Sequence, residues 1–223
     1  LLLLLLLLLL LLLLLLLLSS NLTLTIHMHI RTQSTFTSVC HLFITAMSLN
    51  IAVGLYHRDQ YSLPEKRHIY GYEAYHWSIL ITPPISQGQD CQEYDATDSS
   101  EVDPITLRLN NPTMDWWFRA KPDVDPQSNI KMLGRVVIGQ APAEVSRSDL
   151  GDLFQQVPLP IKNQDPQQSC VTWVTNAIIS LQEKKWVQTR EAIDVEEFKR
   201  WALAYANKRH DDPGSSKDVE EYR

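Results

Sequence analysis

Apolar segments with strand character occupy the part of the chain that follows residue 47. Residues 49–58 (LNIAVGLYHR) and 74–82 (AYHWSILIT) are rich in β-branched and aromatic side chains, and a Pro-Pro pair ends the second segment. The turn-forming sequence PPISQGQD then allows a hairpin with residues 91–97. Two more segments of this kind follow, at residues 115–121 and 131–139. The pattern therefore predicts five strands, with the second and third adjacent in one sheet.

The spacing of apolar residues changes to a helical period near residue 146. The segment SRSDLGDLFQQVP places apolar residues at i, i+3, i+4 and i+7, and a proline ends it. Ser169 is a suitable N-cap for a second helix, and Asp194, followed by Glu197, is suitable for a third. The apolar stripe of the second helix contains Cys170, Trp173, Val174, Ala177, Ile178 and Leu181. Strands followed by helices predict an α+β fold, in which a largely antiparallel sheet packs against C-terminal helices.

The two ends of the chain have a composition that differs from the central part. Residues 1–18 are all leucine, and this run is long enough to span a membrane. The run has neither preceding Lys or Arg residues nor a small-residue cleavage site. We therefore expect residues 1–46 to be a disordered low-complexity leader or a gene-model artefact, with a membrane anchor at 1–18 as the alternative. Residues 47–209 are expected to form one globular domain. The polar segment 210–223 is expected to be disordered.

Charge and cysteine content narrow the classes of function. The chain of 223 residues has 20 Lys and Arg against 26 Asp and Glu, and the two signs are interspersed, which argues against nucleic acid as a partner. The cysteines at positions 40, 91 and 170 are too few and too far apart for a disulfide framework, which favours a reducing, cytoplasmic location. The seven glycines form no phosphate-binding loop, so no cofactor is predicted.

Cys170 is the candidate nucleophile, because it stands where the second helix begins. The positive end of the helix dipole and the unpaired N–H groups of the first turn stabilise a thiolate and a developing oxyanion. A nucleophile also needs a base and a group that orients the base. His76, near the start of its strand, is the candidate base, and Asp95 is the candidate orienting group. This requires a hairpin register with residue 76 opposite residue 95, since a one-residue slip would put the two side chains on different faces.

Structural roles for the same residues remain open alternatives. Free cysteine is among the most buried residue types, and Cys170 lies on the apolar stripe of its helix. A lone histidine such as His76 is often structural, and Asp95 can serve as a turn or cap residue. Cys91 is a second possible reactive thiol. A zinc site that combines His68, His76, Cys91 and Cys170 lacks the short ligand spacing of known zinc motifs, so no metal is predicted.

The order of these motifs resembles the circularly permuted papain-like fold. HW on a strand, a polar residue on the next strand and SCVTWV at a helix start are similar to the lecithin:retinol acyltransferase-like proteins and to the PPPDE-type deubiquitinating peptidases. The resemblance implies that Cys170 is the nucleophile and His76 the base. Asp95 stands where the acyltransferase-like group usually has a second histidine, and Ser169 stands where an asparagine is common.

A second resemblance is more specific and covers about residues 70–190. The segments YHWSILI, YDATD, LGRVVIG and PQQSCVTWVTNAI together resemble an uncharacterised family of fungal proteins. With both resemblances, the chain is expected to be a cysteine hydrolase or acyltransferase that acts on an amide, isopeptide or ester bond of a protein or small acyl substrate. The alternative is a non-catalytic binding or structural module with a degenerate papain-like site.

Overall fold

A computed structural model describes residues 48–215 and 218–222. The predictions for residues 1–46, including the leader and the possible anchor at 1–18, lie outside the described residues. None of the helices in the described part combines the length and the hydropathy that a bilayer crossing requires.

Most strands of the described chain precede its three longest helices, which confirms the predicted α+β class. The strands are β1 Asn50–His57, β2 Tyr75–Thr82, β3 Cys91–Thr97, β4 Glu101–Val102, β5 Leu109–Asn110, β6 Trp117–Val124, β7 Met132–Gln140 and β8 Val219–Glu221. The helices are α1 Pro64–Tyr70, α2 Arg147–Gln156, α3 Cys170–Glu183 and α4 Val195–Asp211. Six strands form one sheet in the order β6-β3-β2-β1-β7-β8, and β4 and β5 form a separate hairpin. All pairs in the large sheet are antiparallel except β7 with β8.

One side of β1 and β2 packs with the helices to form the hydrophobic core. Alternate residues of the two strands point into this core: Ile51, Val53, Leu55, Tyr75, Trp77, Ile79 and Ile81. Helix α3 contributes Trp173, Val174, Ala177, Ile178 and Leu181, all of them completely buried. Burial of each large side chain stabilises the fold by about 1.5–3 kcal/mol. The stripe predicted for this helix therefore fixes where its first residue lies relative to β2.

The other side of the same strands carries small and polar residues. His76 and Ser78 alternate with the core residues of β2, and Glu93 and Asp95 do so in β3. A Cβ atom at Gly54 would lie 2.8 Å from the Ser78 hydroxyl and 2.9 Å from the Tyr56 ring, so this position requires glycine. The polar side is consequently packed closely around Gly54.

The register between β2 and β3 differs from the predicted one. The structure pairs Ile79 with Tyr94, and two further pairs follow it along the strands. The prediction that placed His76 opposite Asp95 is therefore wrong by two residues. Because side chains alternate with a period of two, this shift keeps His76 and Asp95 on the same face. In the described chain the ladder ends at Ile79, so residues 75–78 have no backbone pairing with β3.

The end of the chain also differs from the prediction, which treated it as a disordered tail from residue 210. Helix α4 continues to Asp211, and β8 pairs in parallel with residues 135–137 of β7. The Tyr222 N–H donates to the Val137 carbonyl at 3.0 Å, and the Tyr222 ring packs against Phe198. Pairing with a sheet edge uses backbone groups, so the polar side chains of this segment did not reveal it.

Candidate functional site

Helix α3 begins at Cys170, and the residue before it supplies the cap that the sequence predicts. The Ser169 hydroxyl accepts the N–H of Val171 at 3.3 Å, while the Ser169 N–H donates to the Thr172 hydroxyl at 3.1 Å. This reciprocal arrangement is a capping box, and it fixes the direction in which the first turn starts. The Cys170 side chain is thereby placed at the positive end of a 14-residue helix.

The Cys170 sulfur lies between the core and the start of β2. Its Sγ is 4.0 Å from the carbonyl oxygen of Tyr75, at the outer limit of a weak sulfur hydrogen bond. The residue is only 1% exposed, yet it lines a cavity together with His76. The predicted meeting of this helix start with the histidine strand is present, and the sulfur sits at the boundary between packed hydrocarbon and the cavity wall.

His76 has partners on two sides. Its Nε2 is 3.1 Å from Asp95 Oδ2, and Cys170 lies on the same cavity wall, where its charge acts on the ring. Because Asp95 occupies Nε2, the remaining nitrogen, Nδ1, is the one available to the sulfur. Burial lowers the pKa of His76, but the negative charges of the Cys170 thiolate and the Asp95 carboxylate outweigh it and raise that pKa to about 9. The raised pKa favours the imidazolium form of His76 at neutral pH.

Asp95 is the fully buried anion of the site. Arg119 holds both of its oxygens, with Nε 3.0 Å from Oδ1 and Nη2 2.6 Å from Oδ2. Burial raises the pKa of Asp95, but hydrogen bonds and charges from His76 and Arg119 lower it well below the ordinary carboxyl value. Two cations thus keep this carboxylate ionised and fixed in orientation, which in turn fixes the ring of His76.

Arg119 is a residue of the site that the sequence alone did not identify. It lies directly opposite Asp95 in the pairing of β3 with β6, and it also forms an ion pair with Glu101. The next residue on the same face, Lys121, lies 3.4 Å from Glu93 and 3.8 Å from Asp95. The segment around Arg119 was predicted to be a strand, but only the register between two distant strands could show that this cation faces Asp95.

A cavity of about 400 Å³ opens on the polar side of the sheet, next to these groups. Its volume falls in the range of small-molecule sites, or of a pocket that takes one or two residues of a longer chain. Aromatic rings of Tyr56, Tyr61 and Trp116 line it together with Cys170 and His76. The arrangement can therefore expose a short acyl segment to a buried sulfur while the rest of a substrate stays outside.

The alternative site residues are not brought together. Among the described residues, no group of three or more His, Cys, Asp or Glu side chains is placed to hold a metal ion, so His68, His76, Cys91 and Cys170 do not come together. The Cys91 sulfur lies 3.6 Å from the Ser86 hydroxyl and 3.4 Å from Asp90 Oδ1. Burial and the Asp90 carboxylate raise the pKa of Cys91 against the opposing Ser86 hydrogen bond. Cys91 is consequently an unactivated thiol.

Comparison with known proteins assigns the chain to a family. The model of a family of unknown function (DUF6914) matches residues 49–218, which is about three quarters of the sequence. The matched range includes His76, Asp95, Arg119 and Cys170. No curated protein and no solved structure matches the chain. The prediction of an uncharacterised family is thus confirmed. The protein belongs to the DUF6914 family, whose function is unknown.

Proposed function

We propose that this protein is a cysteine hydrolase or acyltransferase that acts on an amide, isopeptide or ester bond. The observation that carries the proposal is the position of His76, which bonds to Asp95 and lines the wall of the cavity together with Cys170. The proposal includes kinship with the circularly permuted papain-like proteins, because the histidine strand precedes the cysteine helix in the chain. It also includes the fungal origin that the second sequence resemblance implies.

The first half of the reaction forms a thioester. The Cys170 thiolate attacks the substrate carbonyl carbon, and the carbonyl π electrons move to the oxygen to give a tetrahedral oxyanion. The oxyanion then collapses, the bond to the leaving amine or alcohol breaks, and His76 imidazolium donates its proton to that leaving group. The products of this half are an acyl-Cys170 thioester, a neutral His76 and a free amine or alcohol.

The second half regenerates the enzyme. A water molecule or an acceptor amine attacks the thioester while neutral His76 takes its proton. The new tetrahedral oxyanion expels the Cys170 thiolate, which restores the starting ion pair. Asp95 stabilises the imidazolium each time it forms, and it takes up no proton itself. Arg119 keeps Asp95 ionised, which is the state that this role requires.

The backbone N–H of Cys170 is the proposed oxyanion donor. In the first turn of the helix, the Val171 and Thr172 N–H groups are bound by the Ser169 hydroxyl, and the Trp173 N–H donates to the Ser169 carbonyl. The N–H of Cys170 is the remaining donor of this turn. It is attached to the residue that attacks, so it reaches the oxygen of a carbonyl bound at the sulfur.

A cytoplasmic location is part of the proposal. Cys91 and Cys170 are both free thiols in the structure, and a thiol nucleophile works only where it stays reduced. The proposed substrates are proteins or small acyl compounds, and no cofactor takes part in the reaction.

One observation favours the second candidate function, a non-catalytic binding or structural module. Cys170 is 1% exposed and belongs to the hydrophobic core cluster, as an inert cysteine would. The two functions differ in what they require of the sulfur. A nucleophile must react with an electrophile from the cavity, whereas a packing residue is modified only when the protein unfolds.

Thiol labelling of the folded protein tests the proposed function. In a chain that carries Cys40→Ser, a small thiol-directed acylating probe is expected to modify Cys170 at least about ten-fold faster than Cys91 near neutral pH. The reason is that the imidazolium of His76 stabilises the thiolate of Cys170, while burial and Asp90 oppose ionisation of Cys91. Site-resolved mass spectrometry measures both rates in the same sample.

Two matched variants serve as controls for the labelling. Cys91→Ala is expected to leave the fast modification unchanged, and Cys170→Ala is expected to remove it. Modification of Cys170 only after denaturant is added, at the same rate as Cys91, would favour the non-catalytic module.

A further inference from the structure

Most of the charged groups that line the cavity neutralise one another. Three cations of the lining each have a carboxylate partner that also lines it: Lys131 with Asp59, Lys121 with Glu93 and Arg119 with Glu101. His76 is paired with Asp95, as described above. Burial and the neighbouring His210 lower the pKa of His57, so this lining residue is neutral near pH 7. These groups therefore leave little net charge for a ligand to meet.

Arg58 is the cation of the lining that differs. In the described chain it forms no ion pair with any carboxylate. Its Nη1 donates to the backbone carbonyl of Glu73 at 2.7 Å, and its guanidinium carbon lies 4.9 Å from the centroid of the Tyr61 ring. Neither partner carries a negative charge. A half-buried guanidinium that only neutral groups hold is suited to bind an anion from outside the chain.

The contacts of Arg58 also fix its orientation. The Arg58 backbone N–H donates to the Ser62 hydroxyl at 2.7 Å, and that hydroxyl donates to the Ala74 carbonyl at 2.5 Å. The Nη1 bond and the Tyr61 ring then hold the guanidinium on one side and on one face. Its Nε and Nη2 form no hydrogen bond within the described part of the chain. These two N–H groups share an edge, and such an edge matches the two oxygens of a carboxylate.

The position of Arg58 links this edge to the proposed active site. In the pairing of β1 with β2, Tyr56 lies opposite His76, and Arg58 follows Tyr56 by two residues, or about 7 Å along an extended chain. Arg58 and Tyr61 line the same cavity as His76 and Cys170. A carboxylate on Arg58 would therefore lie on the β1 side of His76, close to the bond that Cys170 attacks.

The cavity also contains one anion without an ionic partner in the described chain, Asp98. Asp98 follows β3, and β2 separates β3 from β1 in the sheet. Because adjacent strands lie about 4.8 Å apart, the strands that lead to Arg58 and to Asp98 are separated by about 10 Å. At this distance Asp98 does not neutralise Arg58, and it repels an anion from the β3 side. The two charges together direct a carboxylate to the β1 side of the cavity.

We propose that Arg58 binds a carboxylate of the substrate, and that the substrate is an amide or ester with a free carboxylate next to the bond that breaks. The C-terminal residue of a peptide and an N-acyl amino acid share this chemistry. Internal bonds of a protein and neutral esters lack it. The role in selecting a substrate rests on the proposed function, whereas carboxylate binding itself does not.

Binding of two matched compounds tests the proposal, N-acetylphenylalanine and its neutral amide, N-acetylphenylalaninamide. Their ring suits the aromatic lining of the cavity, and they differ only in the carboxylate. The parent protein carries Cys170→Ala, so that no turnover interferes and failure of the proposed function leaves the result intact. Isothermal titration calorimetry is expected to show at least about ten-fold tighter binding of the carboxylate, the usual effect of hydrogen bonds between charged groups.

Two variants of Arg58 separate charge from geometry. Arg58→Gln is expected to weaken binding of the carboxylate by at least about ten-fold and to leave binding of the amide unchanged, which also shows that the cavity stays folded. Arg58→Lys keeps the charge without the two-pronged edge, so it is expected to weaken the carboxylate less than Arg58→Gln does. Arg190→Gln, which removes an exposed cation outside the lining, is the control and is expected to change neither affinity.

A third compound distinguishes the two sources of the carboxylate. Tighter binding of the N-acetyl tripeptide Ala-Ala-Phe than of N-acetylphenylalanine would identify a peptide C-terminus, and weaker binding an N-acyl amino acid. Equal affinity of the parent protein for N-acetylphenylalanine and its amide would overturn the proposal, as would absence of binding of N-acetylphenylalanine. An equal loss of both compounds in Arg58→Gln would also overturn it, because Arg58 would then only support the fold of the cavity wall.

Discussion

Replacement of His76 by glutamine is expected to lower the rate of acyl transfer by about 10²–10⁴-fold, the usual contribution of a general acid–base residue. Glutamine keeps a polar side chain of similar size next to Asp95 but can neither stabilise a thiolate by charge nor carry a proton to the leaving group. The rate constant of Cys170 modification by an acylating probe measures the first step directly. An unchanged rate in His76→Gln would remove His76 from the mechanism.

The pH dependence of the same reaction carries a second signature of His76. The pKa of His76 is raised to about 9, so the imidazolium is present below this pH and is lost as the pH rises through it. The second-order rate constant for an ester or amide substrate should therefore fall above about pH 9 in the wild type. His76→Gln should lack that alkaline decrease. A wild-type profile that decreases instead between pH 6 and 7, the ordinary range of histidine, would contradict the proposed ion pair.

Replacement of Asp95 by asparagine is expected to lower the free energy of unfolding by about 3–5 kcal/mol, the usual cost of removing one partner from a buried ion pair. Asparagine has the shape of aspartate, but it leaves the Arg119 guanidinium and the His76 imidazolium without the buried carboxylate that both contact. Denaturant unfolding at neutral pH measures the change. Glu196→Gln, which removes an exposed partner of Lys199 on α4, is the matched control and should change stability little.

The effect of Asp95→Asn on stability should depend on pH in one direction. The ordinary pKa of an aspartate is about 4, and the folded protein lowers the pKa of Asp95 below it. The carboxylate therefore stabilises the fold fully at pH values above about 4. As the pH falls below about 4, the unfolded state binds a proton and the difference between wild type and variant should shrink. A stability difference that is small at pH 7, or that grows in acid, would contradict the assignment of Asp95 as the charged centre of the site.

Three of the four helices in the described chain, α2, α3 and α4, could be predicted because their signals are local, whereas the short helix α1 was not predicted. The capping role of Ser169 and the apolar stripe after Cys170 depend on residues within a few turns of each other, and the structure has both. Five of the strands were also predicted to within a few residues of their observed bounds, since strand composition and turn residues mark them directly. Because side chains alternate between the two faces of a strand, His76 and Asp95 share a face both in the predicted register of β2 with β3 and in a register shifted by two residues.

The parts of the site that depend on contacts between distant segments could not be predicted. Arg119 reaches Asp95 because β6 pairs with β3 at one register, which is set by packing of the whole sheet. The pairing of β8 with β7 is likewise a backbone contact between segments about 80 residues apart, and its polar sequence carries no sign of it. The hairpin β4–β5 has strands of only two residues each, too short for a composition signal.

Titration of His76 by NMR tests the central claim, that this imidazole contacts the Cys170 sulfur, more directly than any kinetic experiment. The His76 signal is assigned by its loss in His76→Gln. It should titrate with a pKa of about 9 in the wild type and in Cys91→Ala, and well below that in Cys170→Ala, because that variant removes the negative charge of the thiolate. Titration near the ordinary histidine value, with the same midpoint in the wild type and in Cys170→Ala, would contradict the claim.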